Sequence, residues 1–243
     1  MPSPELTKDS LSLVLRGDFN PAIFSPAWLL GQNLIGIAEY QDSVVDIISR
    51  DLAVFRCGWA TVNVTGDALQ MMTEDSGEFE RIRDLVVGTL KALPHTPLGA
   101  LGINRDVHFA IRSAEGWHAI GDTLAPKEPW AATLALPGMR SLTMWAVRND
   151  RYGGRVQAKV EPSSVVPQSV YVQHNDHYTL NLVDSQPSNR DETTTWGTEE
   201  SDSGIPSADK LPLAISILTE DLLRSVERSD QVISGIASLG KVQ

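Results

Sequence analysis

The stretch Leu101-Gly102-Ile103-Asn104-Arg105-Asp106-Val107-His108-Phe109-Ala110-Ile111-Arg112 decides how the rest of this chain is read. Leu101, Ile103, Val107, Phe109 and Ile111 share one parity, and only Arg105 interrupts them. Gly102, Asn104, Asp106, His108, Ala110 and Arg112 share the other. Successive side chains of an extended strand point to opposite faces, so a period of two means a strand with one face in a core. Its second face is polar and is expected to be wet or to line a polar groove. Asn104, Asp106, His108 and Arg112 are therefore the candidate residues of a ligand groove.

Working outward, Leu11, Leu13 and Leu15 alternate in the same way and predict a first strand. Ser25-Pro26 reads as an N-cap followed by proline at the first helical position, with a short helix to about Leu34. Leu52 to Cys57, Thr61 to Thr65 and Ala68 to Thr73 predict three short strands separated by Gly58 and by the turn Thr65-Gly66-Asp67. Phe79, Ile82, Val86, Leu90 and Leu93 recur at helical spacing among charged residues, which predicts an amphipathic helix ended by Pro94.

Gly116 to Pro137 has no clear period. Beyond it, Leu142 to Arg148 and Arg155 to Glu161 predict a hairpin around Gly153-Gly154. Val170 to Gln173 and Tyr178 to Val183 read as a second hairpin, with His174-Asn175-Asp176-His177 as its turn. From about Asp209, read as an N-cap, to Leu239, the residues Leu211, Ile215, Leu218, Leu222, Ser225, Ser229, Val232, Ile236 and Leu239 follow a 4-3 spacing. This predicts a long helix whose seam carries two serine interruptions. The expected class is α+β, a largely antiparallel sheet with two shorter helices and a long C-terminal helix. The expected organisation is a body over residues 1–183, an acidic flexible segment over 184–206, and the helix over 207–243 packing on the body or on a partner.

The chain has 243 residues, 20 Lys and Arg against 31 Asp and Glu, and one cysteine, Cys57. The net charge of −11 disfavours nucleic acid as a partner of this chain alone. Asp184 to Pro206 holds six of the acids and one base, so that segment carries five of the eleven net negative charges. Trp196 lies in its middle and is an exception to its polar composition. A lone cysteine excludes an intramolecular disulfide, and Met1 to Asp9 has no apolar run of a signal peptide, so a cytoplasmic location is expected. No apolar run approaches the length of a membrane span.

Chemical motifs are few. Neither a G-x-x-x-x-G-K-[ST] loop, a G-x-G-x-x-G turn nor a G-x-S-x-G elbow occurs, and no cofactor is expected. Cys57 sits between Phe55 and Trp59 and reads as a buried structural thiol. His174, Asp176 and His177 are weak candidates for a metal, since a third and fourth ligand at recognisable spacing are missing.

The residues Phe55-Arg56-Cys57-Gly58-Trp59, Thr61 to Thr65, the helix from Phe79, and Thr96 to Asn104 follow one another as in a group of sporadically distributed prokaryotic proteins of unknown function. The chain resembles that group over about residues 55–109, a quarter of its length. The resemblance implies a prokaryotic α+β protein, in some members with mobile or defence-related gene neighbours, and carries over no site. The expected function is a non-enzymatic protein–protein interaction subunit or adaptor in a larger assembly, or a homo-oligomer. Trp196, Leu211, Ile215, Leu218, Leu222, Val232 and Ile236 are its candidate interface residues. A small-ligand binder or unusual enzyme built as a helix on a sheet is the first alternative. An acidic chaperone-like or antitoxin-like protein is the second.

Overall fold

The computed structural model describes residues 4–148, 150–182 and 205–240. The alternating stretch around Arg105 forms β6 (Leu98–Ala110) in the interior of one nine-stranded sheet. Before it come β1 (Leu6–Gly17), α1 (Pro26–Gly31), α2 (Ile37–Gln41), β2 (Val44–Ile48), β3 (Leu52–Cys57), β4 (Ala60–Thr65), β5 (Ala68–Thr73) and α3 (Phe79–Ala92). After it come α4 (Ala114–Leu124), β7 (Leu142–Val147), β8 (Tyr152–Pro162), β9 (Ser169–Leu182) and α5 (Leu211–Leu239). The strand order is β2-β3-β4-β5-β1-β6-β9-β8-β7, and every neighbouring pair is antiparallel. The α+β class with a long C-terminal helix is thus what the chain adopts.

The topology contains a symmetry that no sequence repeat announces. Each half runs strand, helix, meander, helix: β1, α1–α2, β2–β5, α3, then β6, α4, β7–β9, α5. The halves meet at the antiparallel β1–β6 pair, with β5 and β9 beside it as counterparts. β4 then corresponds to β8 and β3 to β7. β2 has no counterpart and is an added edge strand.

The starts of α1, α4 and α5 arise from local signals. Ser25 caps α1 by accepting from the Trp28 amide at 3.1 Å, and Ser113 caps α4 by accepting from Gly116 at 3.0 Å. α5 is entered through a 3-10 turn over Ala208–Lys210 that is capped by Ser207, not by Asp209. Ser207 is itself held to Leu98 by two backbone hydrogen bonds of 3.0 and 3.1 Å, so the start of α5 is pinned to the start of β6.

All packing of α3 and α5 is on one sheet face. Leu11, Leu13, Leu15, Phe55, Val62, Met71, Ile103 and Tyr178 meet Ile82, Val86 and Leu90 of α3 and Leu211, Leu218 and Leu222 of α5 in a first core. A second core joins Val107, Phe109, Val160 and Val172 to Ile120 of α4 and to Ile233 and Ile236 of α5. The two serines of the seam, Ser225 and Ser229, lie between these cores and are buried. They interrupt the apolar seam because a polar network crosses there.

The residues 174–177 are not a turn. β9 runs unbroken through them, paired with β6 on one side and β8 on the other. Asn-Asp favours turns locally, but strand preference yields to the partners a residue finds in three dimensions. The segment 116–137 resolves into α4 and a following irregular stretch, and β2 and α2 were not signalled. Trp196 and the acidic segment up to residue 204 lie outside the described residues.

Candidate functional site

Three places concentrate polar or exposed apolar side chains: the layer under α5, the uncovered face of the sheet, and the sheet edges.

Under α5, alternate residues of β9 point into the protein, and His174, Asp176 and Tyr178 are buried there. Arg148, at the end of β7, donates to Asp176 at 2.7 Å and to Asp221 at 3.4 Å, and also bonds Asp150. Arg228 donates to Asp176 at 2.7 Å and to Asp221 at 2.9 Å. The Tyr178 hydroxyl donates to Asp221, and the Arg148 guanidinium stacks 3.9 Å above the Tyr178 ring. Burial works against the Asp176 charge, but hydrogen bonds from Ser225 and Arg228 hold its carboxyl below the usual range. A second pair lies further along α5. Arg105, the one charged residue on the apolar parity of β6, forms two bonds of 2.9 Å to Asp9 and reaches Asp230 at 2.6 Å and Ser229 at 2.9 Å. Three arginines thus bridge five carboxylates, Asp9, Asp150, Asp176, Asp221 and Asp230, and the layer fastens α5 to the sheet.

His174 is the exception in this layer. It is 1 % exposed, and its Nδ1 has no hydrogen-bond partner among the described residues. Burial lowers its pKa below the ordinary histidine value, with Arg228, Arg105 and Arg148 adding to the effect against Asp176. The folded protein then binds fewer protons than the unfolded chain just below pH 6.5, so its stability is lost as pH falls below about 6.5. Burial lowers His108 in the same direction. His174→Gln is expected to flatten the loss of stability between about pH 6.5 and 5 in urea unfolding. Both proteins should then lose stability together below about pH 4, as the depressed Asp176 takes its proton. Equal slopes in the upper window would exclude His174 as the titrating group.

The weak metal reading of His174, Asp176 and His177 does not survive the strand geometry. Residues three apart in a strand face opposite sides, so His174 lies under α5 and His177 on the other face. Among the described residues no group of three or more His, Cys, Asp or Glu is arranged to hold a metal.

The uncovered face carries the other parity of β6 and β9. Asn104 pairs with Asn175 across the strands, and their amides bond. Asp106 accepts from Gln173 at 2.9 Å and from the Tyr171 hydroxyl. His108 meets Ser163 at 2.9 Å and packs on the Tyr171 ring with centroids 5.0 Å apart. Gly102 has no side chain, and a hollow of about 330 Å³ forms over it, bordered by Arg16, Asn104, Arg155, Asn175 and His177. Asn104, Asp106 and His108 thus share one face, as their spacing required. That face is opposite α5, so they do not line a cavity between helix and sheet. Arg112 lies beyond the end of β6, exposed in the turn before α4.

At the sheet edges the side chains are apolar and exposed. Val44, Val45, Ile47 and Ile48 of β2 are between 40 and 49 % exposed. At the opposite edge Met144, Trp145 and Val147 of β7 are also exposed. Between Val45 and Ile47 the pairing of β2 with β3 shifts, leaving the exposed Asp46 as the bulged residue.

The candidate interface residues of the last helix divide differently. Leu211, Leu218, Leu222 and Ile236 are buried in this chain's own cores, while Ile215 and Val232 are half-buried. Arg148, Asp221 and Arg228 were missed, although Asp221, Ser225 and Arg228 recur at helical spacing on one side of α5 as a sequence signal. No model of a known protein family matches the chain, and no curated protein matches it in sequence. Among the described residues no helix is long and apolar enough to cross a membrane.

Proposed function

We propose that this protein is a non-enzymatic protein–protein interaction subunit that takes up an extended segment of a partner along β2. The observation that carries the reading is a sheet edge, unpaired among the described residues, on which Val44, Val45, Ile47 and Ile48 all stand exposed. Edges of this composition are normally shortened, charged or covered, because they template pairing with another chain. β2 is also the strand without a counterpart in the other half of the fold. An added strand needs a use other than closing the core, since its side chains contribute little to it.

Asp46 selects the kind of segment. In a two-fold antiparallel pairing centred on Asp46, its carboxylate would face a copy of itself, which is unfavourable across strands. A foreign strand with apolar flanks and a basic residue opposite Asp46 fits instead. The reading includes a reducing, cytoplasmic setting. It is supported by the lone thiol of Cys57, whose pKa burial, with a lesser contribution from Glu39, pushes up to about 11.

Two synthetic valine- and threonine-rich octapeptides, one with a central lysine and one with a central glutamate, test this. The lysine peptide is expected to bind about tenfold more tightly and to protect the β2 amides from hydrogen exchange. Asp46→Lys should invert the preference, and Ile47→Lys should abolish binding of both. Absence of β2 protection by either peptide would overturn the proposal. So would a dimer in light scattering that Ile47→Lys dissolves, because the occupant would then be a second copy.

A further inference from the structure

A cavity of about 770 Å³ lies between α4, the irregular segment 125–141, and the neighbouring ends of β8 and β9. It is separate from the β2 edge and from the network under α5. Trp117, Ile120, Leu134, Met139 and Val170 line it, with His118, Asp122, Lys127 and Glu161 as its titratable residues. The Trp117 indole N–H already donates to the Ser169 carbonyl at 3.2 Å, so the ring offers the cavity only apolar surface. The volume falls in the range of small-molecule sites, which are mostly apolar with few polar groups.

The charges at its rim are already matched. Lys127 stands 2.6 Å from Asp122, and Lys159 stands 2.8 Å from Glu161. A charged ligand would have to displace one of these pairs. An anionic one would also approach a protein of net charge −11. The covering segment turns Trp130, Leu134 and Leu136 to solvent, and Leu136 is 98 % exposed at a φ of 52°. Leu134 and Leu136 of the cover also line the cavity, and the space beneath them is unfilled among the described residues.

We infer that this cavity binds an uncharged, apolar small molecule. Nile red, an uncharged dye that brightens in apolar surroundings, is a direct probe, and anilinonaphthalene sulfonate is its anionic control. Saturable binding of Nile red to the full chain is expected, with the anionic dye at least about tenfold weaker. Gly121 lies on the wall, and a Cβ built there would meet only Met139, at 3.8 Å. Gly121→Leu extends a side chain into the cavity and is expected to weaken Nile red by about tenfold or more. Its Tm should be unchanged or raised, because leucine is the better helix former. Gly121→Ala, which adds one methyl, should bind within about threefold of the parent. If Gly121→Leu does not fold, Ala131→Phe, from the covering segment, fills the same space and must give the same loss. Unsaturable dye uptake, equal binding of the anionic dye, or full binding by a folded cavity-filling variant would each overturn the assignment.

Discussion

Arg148→Met is expected to lower the unfolding free energy by about 3–5 kcal/mol, the range for removing one partner of a buried ion pair. The Arg148 side chain is 2 % exposed and serves three carboxylates, Asp150, Asp176 and Asp221. Without it, Arg228 alone faces Asp176 and Asp221, and Asp176 is fully buried. Methionine keeps much of the apolar stem against the Tyr178 ring, so the loss reports on charge and hydrogen bonds more than on packing. Adding Asp176→Asn to Arg148→Met removes the stranded carboxylate and should recover part of the loss. The two changes share partners and are not additive. Urea denaturation of the four proteins at pH 7 measures the coupling. A cost under about 1 kcal/mol for Arg148→Met, the level of a surface pair, would mean that the network does not hold α5 in place.

The second large effect is expected at Gly154, next to the same network. Gly154 has a φ of 128°, and a Cβ there would stand 2.1 Å from the His177 carbonyl oxygen. It occupies the register shift where β8 starts along β9, and its own carbonyl accepts from the Arg148 amide at 3.0 Å. Gly154→Ala therefore meets a backbone conformation that L residues avoid and a collision with a paired strand. A cost of about 3 kcal/mol or more is expected, with the Arg148 pairs loosened as well. Gly58 separates conformation from collision. It has a φ of 57° but nothing within 4 Å of a built Cβ, so Gly58→Ala should cost only about 1–2 kcal/mol. Thermal and urea unfolding of both variants give the comparison. Equal costs would show that the close approach to His177 is relieved without consequence.

The two predictions turn on residues that differ in how visible they are along the chain. The Gly153-Gly154 pair signalled the hairpin because glycine pairs are local punctuation, but both glycines lie inside β8, which starts at Tyr152, and not in the turn. Arg148 gave no signal, because its partners in the buried layer, Asp176 and Asp221, are 28 and 73 residues away. Asn104, Asp106 and His108 could be placed on one face from spacing alone. The same spacing could not say that α5 covers the opposite face. His174 and Asp176 were misread as a turn because their composition is that of a turn. The buried Asp176 is matched by Arg228, contributed by a helix 52 residues further on. The serines of the α5 seam were visible as interruptions, and their cause became evident only once Arg105 was seen to cross from β6 to Ser229.

The strands around Leu13 and Arg105, the helices from Phe79 and Leu211, and the α+β class are all legible along the chain, because each follows from the spacing of apolar residues along a few turns or strand repeats. Tertiary structure alone decided that residues 174–177 continue a strand, that two halves meet at β1–β6, and that β2 stands at the edge of the described sheet. Strand partners and buried charge partners are chosen among residues far apart in the chain, and no local period records that choice.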